Sequence, residues 1–475
     1  MDIGNALDTG FGILNHYFWG ISFVFLIGLG IVFTVRLKCL QILKIKETSS
    51  LALSGISEGR GTHRISSFEA FCIGMGARIG VGNIAGVATA IVTGGPGAVF
   101  WMWIFAIIGS ASSFMESTLA QIYKEKKEDG HFYGGPAYYA SKGLGSRRLG
   151  IVAAVLLVIT FGIGFITVQS CNASQALCGA FEFDHNNYVF AAIIAGIAAV
   201  IIFKGLKAAA KFSANIVPYM ALAWIVFAVA AILLNIGGVV NAVYMIFEYA
   251  FDASALAGGA IGTIIVTGLK RGVFSNEAGL GSVANIAATA DVKHPVKQGL
   301  IQSFGVLVDT LIVCTITALV VLSYGHFDEI MALDLEGAKL VQAVVADAFS
   351  GTWTNYIIAM FMFVFAFTSL IGYYTMSEAN ARFVRDDKRS VLVIRIMVVI
   401  VAFLAGTCTS VNLADTISDT FMALMAAVNM IIVALLSRKV FEAYVDYKKQ
   451  RRAGIEEPEF HKDALSDISG VTEWE

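Results

Sequence analysis

The sequence predicts an all-α, polytopic membrane protein with eleven transmembrane helices, ten of which form a five-plus-five inverted repeat. Three observations support this fold class: an apolar composition, a series of apolar runs of membrane-spanning length, and a glycine-rich polar motif that occurs twice. Of 475 residues, 57% are hydrophobic and 14% are charged, with a mean hydropathy of +0.74. Soluble domains are about 25% charged. The net charge of −2 gives no reason to expect nucleic acid as a partner.

Apolar runs set the predicted topology, because a helix needs about 20 apolar residues to cross a bilayer. The first run lacks a basic leader and continues as a full span, so we expect it to remain as a helix. The eleven runs are 16–35, 66–92, 98–123, 149–172, 187–204, 213–234, 258–290, 298–322, 354–381, 390–408 and 417–437.

The distribution of Lys and Arg predicts how these spans are oriented. With the N-terminus outside and the C-terminus in the cytoplasm, only Lys339 of the 33 Lys and Arg residues falls in an outer loop. Basic residues are retained on the cytoplasmic side of membranes, so this orientation is expected. The charged tail after Tyr444 is predicted to be mobile.

The most informative stretch is Gly74–Ala90, with the sequence GMGARIGVGNIAGVATA, which carries five glycines, an arginine and an asparagine inside an apolar run. Each glycine weakens a helix and lets another group approach the backbone. The stretch therefore predicts a helix that is interrupted midway. Unpaired backbone groups at membrane depth are tolerated only around a ligand or a cavity.

The same pattern returns 193 residues later, where Arg271-x4-Asn276-x-Ala278-Gly279 matches Arg78-x4-Asn83-x-Ala85-Gly86. This offset aligns span two with span seven along the sequence. In the predicted topology these two spans cross the membrane in opposite directions. The sequence therefore predicts an inverted repeat with paired broken helices, which is typical of the binding site of a secondary transporter. We divide the chain into residues 1–65 (outer N-terminus, peripheral first helix and cytoplasmic connector), 66–257 and 258–440 (the two repeats), and 441–475 (the cytoplasmic tail).

At the first break, the backbone N–H groups of Val81, Gly82 and Asn83 would begin the outer half-helix. The positive end of that half-helix dipole favours a carboxylate. The carbonyls of Gly76 and Ile79 would end the inner half-helix and face a cation. The alternative is a close helix crossing through small residues without a ligand.

In span seven, the segment Lys270–Ser282 packs two cations, an asparagine and a glutamate among apolar residues. Such groups are costly in hydrocarbon and normally face a partner or a wet cavity. We expect Glu277 to pair with Arg271 or Arg78, and that pair could either belong to a site or only hold the break. Phe274 is a candidate wall of the ligand gap, or a core aromatic residue.

Two further features concern cations. In span nine, the adjacent hydroxyls of Thr368 and Ser369, with the carbonyl of Phe365, could supply oxygen ligands for sodium. The alternative is that both hydroxyls bond back to their own helix. Asp309 lies near the middle of span eight and could relay charge or pair with an arginine.

The segments FEAFCIGMGARIGVGNIAGVATAIVTGGPGAVFWMW, TGLKRGVFSNEAGLGSVANIAA and FAFTSLIGYY resemble the alanine/glycine:cation symporter family, within the amino acid–polyamine–organocation superfamily. The resemblance covers roughly residues 15 to 440. It implies the fold of the bacterial leucine transporter, the plasma membrane of a prokaryote, and sodium-coupled uptake of small neutral amino acids, alanine or glycine or both. It implies a transporter and not an enzyme.

The resemblance also implies roles for residues at the breaks. The carboxylate-binding break falls at Gly80, Val81, Gly82 and Asn83, and the sodium site at Gly76, Ile79, Phe365, Thr368 and Ser369. The pocket walls are then Phe165, Gln169, Phe274 and Tyr373. Three aromatic residues leave room for a small substrate, whose amine could be held by Gln169 and Asn276. The alternative functions are a proton-coupled amino-acid transporter, an amino-acid channel and a membrane sensor.

Overall fold

The computed structural model of the chain describes residues 3–58, 64–183, 188–251, 261–408 and 411–475, and these are almost entirely helical. The predicted junction of the two repeats, at 257–258, lies outside the described residues. In chain order the described helices are α1 Ile3–Arg36, α2 Leu40–Leu43, α3 Ile45–Glu58, α4 Ser67–Arg78, α5 Ala85–Gly94, α6 Gly97–Ile122, α7 Pro136–Gly143, α8 Arg147–Phe181, α9 Tyr188–Ile202, α10 Leu206–Leu234, α11 Ile236–Ala250, α12 Ile261–Asn276, α13 Ser282–Thr289, α14 Pro295–Leu322, α15 Phe327–Ala332, α16 Gly337–Ala348, α17 Thr354–Val384, α18 Lys388–Gly406 and α19 Val411–Arg452.

Eight of the described helices are long and apolar enough to cross a membrane. They correspond to eight of the eleven predicted spans. Predicted span five is the 15-residue helix α9, and predicted spans two and seven are each divided into two shorter helices. The multi-pass, all-α class is therefore confirmed, whereas the count of eleven stays a prediction.

Both predicted helix interruptions are present. Helix α4 ends at Arg78, a short 3-10 turn covers Val81–Asn83, and α5 begins at Ala85. Helix α12 ends at Asn276 and α13 begins at Ser282. Between them the backbone is left-handed at Glu277, Gly279 and Gly281, with φ of 57°, 84° and 73°. This run of positive φ cannot continue a right-handed helix, and it terminates α12.

Two of the long helices contain a π-helical segment next to these breaks. One covers Thr160–Phe165 in α8 and the other covers Val308–Cys314 in α14. A π-turn inserts an extra residue into a helix and redirects its side chains, which is why such segments are frequent at functional sites. Here the redirected residues include Phe165 and Asp309. The sequence offered no signal for either segment.

Several connections also differ from the sequence-based expectation. The segment between predicted spans six and seven contains the helix α11. A short antiparallel hairpin pairs Glu125–Lys126 with Phe132–Tyr133 after α6. The prediction of a mobile tail is wrong: α19 continues to Arg452, and Phe460 and Trp474 are only 4% and 9% exposed. We call the face that carries residues 453–475 the tail side.

Candidate substrate and sodium site

The first helix break is closed by side chains and not by helical hydrogen bonds. The N–H of Gly80 donates to Oδ1 of Asn83 at 2.9 Å. The N–H of Val81 donates to Oε1 of Gln169, in α8, at 2.9 Å. The amide oxygen of Gln169 therefore occupies a position at the start of the second half-helix, where the dipole favours a negative group.

Two glycines of this break are required by close approach. A Cβ at Gly80 would lie 2.6 Å from both Oγ of Ser369 and Nε2 of Gln169. A Cβ at Gly82 would lie 2.8 Å from Cδ1 of Phe274. Both distances are too short for a side chain, so neighbouring helices approach the bare backbone here.

The predicted aromatic walls converge on the break. The rings of Phe165 and Phe274 are stacked, with centroids 4.6 Å apart. Tyr373, in α17, meets Phe165 edge-on at 5.5 Å. Its hydroxyl donates to the carbonyl of Ala77 at 3.1 Å and accepts from Nε2 of Gln169 at 3.2 Å. The structure thus brings Gly80, Gly82, Phe165, Gln169, Phe274 and Tyr373 together, and their contact with a substrate stays a prediction.

The predicted sodium-binding residues lie at the end of α4 and the middle of α17. Oγ of Ser369 is 3.0 Å from the carbonyl oxygen of Gly76 and 3.2 Å from that of Ala77. Oγ1 of Thr368 donates to the carbonyl of Phe365 at 3.0 Å, which is the back-bonding expected of a membrane threonine. Thr368 thus bonds within α17, whereas Ser369 approaches two carbonyl oxygens at the end of α4. Ala77, which the sequence did not single out, supplies one of them.

Ile79 is the fifth residue predicted for the sodium site. It is buried and ends α4 with non-helical dihedral angles, φ −73° and ψ 84°. Its N–H completes the helix by donating to the carbonyl of Met75 at 2.7 Å. Its carbonyl therefore follows the last helical residue, as the prediction requires, and its role as a ligand stays a prediction.

Asn83 turns its side chain away from the aromatic walls and toward Asp309. Nδ2 of Asn83 donates to Oδ1 of Asp309 at 2.7 Å and to Oγ of Ser275 at 3.0 Å. Ser275 in turn donates to Oδ2 of Asp309 at 2.6 Å, and Thr310 donates to the same oxygen at 3.1 Å. The carboxylate is fully buried. Asp309 is thus satisfied by neutral donors, and of its two predicted roles, charge relay or a pair with an arginine, the pair is not formed.

Asn276 occupies the corresponding position in the second break. Its Nδ2 donates to Oγ1 of Thr310 at 3.0 Å, and its Oδ1 accepts from the N–H of Ala278 at 3.0 Å. Each end of this amide makes one hydrogen bond inside the protein, which leaves one N–H and one lone pair of the amide for a further partner. The two asparagines of the repeated motif therefore meet neighbouring residues, Asp309 and Thr310, of one π-segment.

A buried carboxylate of α6 accepts hydrogen bonds from the backbone of the second helix break. Glu116 accepts from the N–H groups of Gly279 and Gly281 at 3.3 and 2.9 Å. It also accepts from Nδ2 of Asn429 at 2.9 Å. The chain therefore supplies its own anion to the N-terminus of α13, whereas at α5 the corresponding position is held by the neutral amide of Gln169. No feature of the sequence predicted this role for Glu116.

The expected pairing of Glu277 with an arginine is wrong. Glu277 accepts from Oγ of Ser282 at 2.6 Å. The nitrogens of Arg78 all donate to neutral oxygens: Nε to the carbonyl of Asn276, Nη1 to the carbonyl and side chain of Gln302, and Nη2 to Ser113. Arg271 forms an ion pair with Asp415 of α19 at 3.1 Å.

This ion pair lines a cavity of about 130 Å³ that lies against the first break. Gly82 and Phe274 form its floor, and Asn172 and Gln175 of α8 are part of its wall. Glu336, just before α16, and Lys339, in its first turn, are at its rim and are exposed. The cavity thus extends from the break to the side of the molecule opposite the tail.

Comparison with known proteins agrees with this geometry. Residues 4–462 match the sodium:alanine symporter family. The chain is 45% identical to the "probable sodium/glutamine symporter GlnT" of Bacillus subtilis, over 98% of this chain and 95% of that protein. It is 37% identical to the sodium/alanine symporter AgcS of Methanococcus maripaludis, over 92% and 95% of the two chains.

A solved structure shows the fold. The crystal structure of MhsT in complex with L-phenylalanine superposes with a TM-score of 0.59 over 79% of this chain and 90% of that one, at 15% identity. The chain therefore has the leucine-transporter-like fold of a five-plus-five inverted repeat. Because a family match covers nearly the whole chain, and because two broken helices meet inside it, this protein belongs to the sodium:alanine symporter family and is a Na⁺-coupled amino-acid symporter.

Proposed function

We propose that the protein takes up small neutral amino acids, alanine and glycine first among them, by binding the substrate carboxylate at the break Gly80–Asn83. The observation that carries this proposal is the hydrogen bond from Val81 N–H to Oε1 of Gln169. An oxygen acceptor already fits this position, and a carboxylate is a better acceptor than an amide. We infer that the substrate displaces the Gln169 amide, which then becomes available to the substrate amine.

The aromatic walls support a small substrate. Phe165 and Phe274 are stacked directly beside Gly82, and Phe161 packs on Tyr373 with ring centroids 5.3 Å apart. Each ring is buried. Inserting a large side chain between such packed rings requires several of them to move, and overpacking of this kind costs about 1–3 kcal/mol.

Sodium is proposed to bind between the carbonyls of Gly76, Ile79 and Phe365 and the hydroxyls of Thr368 and Ser369. Sodium is a hard cation that prefers oxygen ligands, and this set contains only oxygens. Ser369 also lies beside Gly80. The ion and the substrate carboxylate would therefore share one wall, so that each favours binding of the other.

Glutamine is a second candidate substrate. A relative that is 45% identical is named for glutamine, and the cavity above the break places the amides of Asn172 and Gln175 beside Gly82 and Phe274. These amides could pair with the side-chain amide of glutamine. Alanine would leave them in their present contacts, from Nδ2 of Asn172 to the carbonyl of Val168 and from Nε2 of Gln175 to Sγ of Cys171.

We also propose that the tail side faces the cytoplasm and that the cavity lined by Arg271 and Asp415 faces the outside. The basic residues concentrated near the tail side support this orientation. The Arg271–Asp415 pair spans the cavity between α12 and α19. It would then lie on the path of a substrate that enters from outside.

The test is uptake of radiolabelled alanine, glycine and glutamine into proteoliposomes with an imposed sodium gradient. We expect accumulation of at least one of them with sodium and none with choline at fixed pH. Equal uptake in both salts would contradict sodium coupling, and uptake that follows an imposed pH gradient would support the proton-coupled alternative. Competition among the three amino acids, with leucine as a large neutral control, identifies the preferred substrate.

A further inference from the structure

We propose that residues 456–475, called the strap below, hold the tail side of the transport pathway closed and must detach before that side opens. The proposal concerns a conformational step and does not depend on which amino acid is carried. It rests on how the strap contacts the ends of the two broken helices.

The strap is anchored to the protein by buried residues near both of its ends. Phe460 and Trp474 are buried, with ring centroids 5.3 Å apart. Nε1 of Trp474 donates to the carbonyl of Gln121 at 3.0 Å. The N–H of Phe460 donates to the carbonyl of Lys293 at 2.9 Å. Burial of two large aromatic side chains is strongly favourable, so this is a stable contact.

Polar contacts fix the strap between these anchors. Lys439 of α19 forms an ion pair with Asp467 at 2.7 Å. Nζ of Lys142, in α7, donates to Oγ1 of Thr472 at 2.9 Å. The N–H of Lys462 donates to the carbonyl of the last residue, Glu475, at 2.9 Å. The strap therefore folds back on itself and, with its contacts to Gln121 and Lys293, is attached to four different parts of the tail side.

Near the strap, the tail-side ends of the two broken helices are joined. Arg64, before α4, pairs with Asp291, after α13, at 2.6 Å. The N–H of Asp291 donates to the carbonyl of Ile65 at 2.9 Å. Glu69, in the first turn of α4, pairs with Lys207 of α10 at 2.9 Å. These bonds must open when the half-helices separate to release substrate on this side.

Two side chains connect the strap to this closure. Nε2 of Gln121 donates to the carbonyls of Ala287 and Ala290 at 2.6 and 2.9 Å. Nζ of Lys124 donates to the carbonyl of Ala290 at 3.3 Å and lies 4.6 Å from the centre of the Trp474 ring. Trp474 thus covers the same two residues that hold the end of α13.

The strap therefore contacts the connection 290–293 at two points. Trp474 contacts Lys124, which donates to the carbonyl of Ala290, and the N–H of Phe460 donates to the carbonyl of Lys293. Movement of α13 away from α4 would therefore break the contacts between this connection and the strap. A bound strap consequently favours the closed tail side, and any factor that detaches it favours the open one.

Hydrogen–deuterium exchange of the full-length protein in lipid nanodiscs tests this inference. Trp474→Ala removes the ring that covers Lys124. Ile468→Ala is the matched control, because Ile468 lies in the same strap with 45% of its surface exposed. A stop codon after Ile455 removes the strap altogether, and size-exclusion chromatography verifies that each variant is folded.

We expect Trp474→Ala and the shortened chain to raise exchange at least threefold in segments 64–78 and 284–293, whereas Ile468→Ala matches the wild type. Faster exchange only within 460–475 after Trp474→Ala would overturn the proposal, because the strap would then detach without affecting the closure. Unchanged exchange at 64–78 in the shortened chain would overturn it as well. Neither outcome bears on the sodium or substrate assignments, which the uptake experiment tests separately.

Discussion

Gln169 and Val81 are joined across the first helix break: Oε1 of Gln169 lies 2.9 Å from the backbone nitrogen of Val81. The same amide donates to the hydroxyl of Tyr373, which in turn donates to the carbonyl of Ala77. One side chain thus links both ends of the break to α17. Its displacement would free an N–H, a hydroxyl and an amide for a zwitterionic ligand.

This relationship predicts the effect of Gln169→Glu. A carboxylate at the same position accepts more strongly than an amide from Val81 N–H, and it repels the substrate carboxylate. We expect substrate affinity to fall by about tenfold or more, which corresponds to about 1.4 kcal/mol. Equilibrium binding of labelled alanine at saturating sodium measures the change. Gln175→Glu, on the same helix in the wall of the cavity, is the control and should have a smaller effect; equal losses would contradict the assignment of Gln169.

Gly82 tests whether close backbone approach is required. A Cβ at Gly82 would lie 2.8 Å from the ring of Phe274, whereas a Cβ at Gly86 meets nothing within 4 Å. We therefore expect Gly82→Ala to reduce binding severalfold and to cost about 1–3 kcal/mol of stability through overpacking. Gly82→Leu should abolish binding while the protein remains in the membrane. Gly86→Ala should behave as the wild type in both assays, and a well-folded Gly82→Leu protein with normal affinity would refute the site.

The hydroxyls of Thr368 and Ser369 test the sodium assignment. Replacing both by alanine removes two candidate ligands with little change in volume. We expect the sodium concentration for half-maximal uptake to rise about tenfold or more, while substrate affinity at saturating sodium changes much less. Thr375→Ala is the control, because its hydroxyl donates to the carbonyl of Ile371 within the same helix at 2.9 Å.

If Thr368 and Ser369 do not bind sodium, a different result is expected for the double variant. If these hydroxyls only bond back to their own helix, the double variant should lose some thermal stability and keep its sodium dependence. The ion site would then lie elsewhere. The buried carboxylate of Asp309, with Asn83 and Ser275 beside it, would be the next residue to replace.

Because the side chain of His294 is buried on the tail side, we expect the stability of the folded protein to depend on pH. Burial lowers the pKa of this imidazole to about 4, although its contact with Asp446 acts in the opposite direction. A group whose pKa is lower in the folded protein stabilises it above the ordinary pKa of about 6.5, and this contribution is lost as the pH falls toward 4. Between pH 7.5 and 5.5 we expect a loss of about 1 kcal/mol.

Thermal unfolding at these two pH values measures the loss. His294→Asn is the appropriate control, because asparagine can still accept the hydrogen bond from Val296 N–H that Nδ1 now accepts at 3.2 Å. We expect this variant to lose most of the pH dependence over this range. An unchanged slope would assign the effect to other groups.

Prediction from sequence succeeded where the signal was local. The apolar runs identified the multi-pass helices, and the glycines of Gly74–Ala90 with their distant copy identified both breaks. Thr368, Ser369 and Tyr373 were chosen from one short segment, and the structure places them beside Gly76, Ala77 and Gln169. Neighbouring residues on one helix turn are brought to the same place whatever the rest of the chain does.

Prediction failed where a partner comes from a distant part of the chain. Arg271 pairs with Asp415, 144 residues away, and Glu116 accepts from Gly281, 165 residues away. Neither sequence segment carries any sign of the other. The tail was expected to be mobile because it is charged. Instead its aromatic residues Phe460 and Trp474 are buried, and the strap contacts four separate parts of the protein.

The amino-acid sequence by itself determined that this chain is a bundle of membrane helices with two of them broken at related positions, because hydrophobicity and glycine content act on each segment independently. Only the tertiary structure decided what each break holds. Packing placed an internal carboxylate, Glu116, at the second break, and a neutral amide, Gln169, at the first. A charge buried at membrane depth must be matched by its neighbours in space, and those neighbours are chosen by the fold and not by their order along the chain.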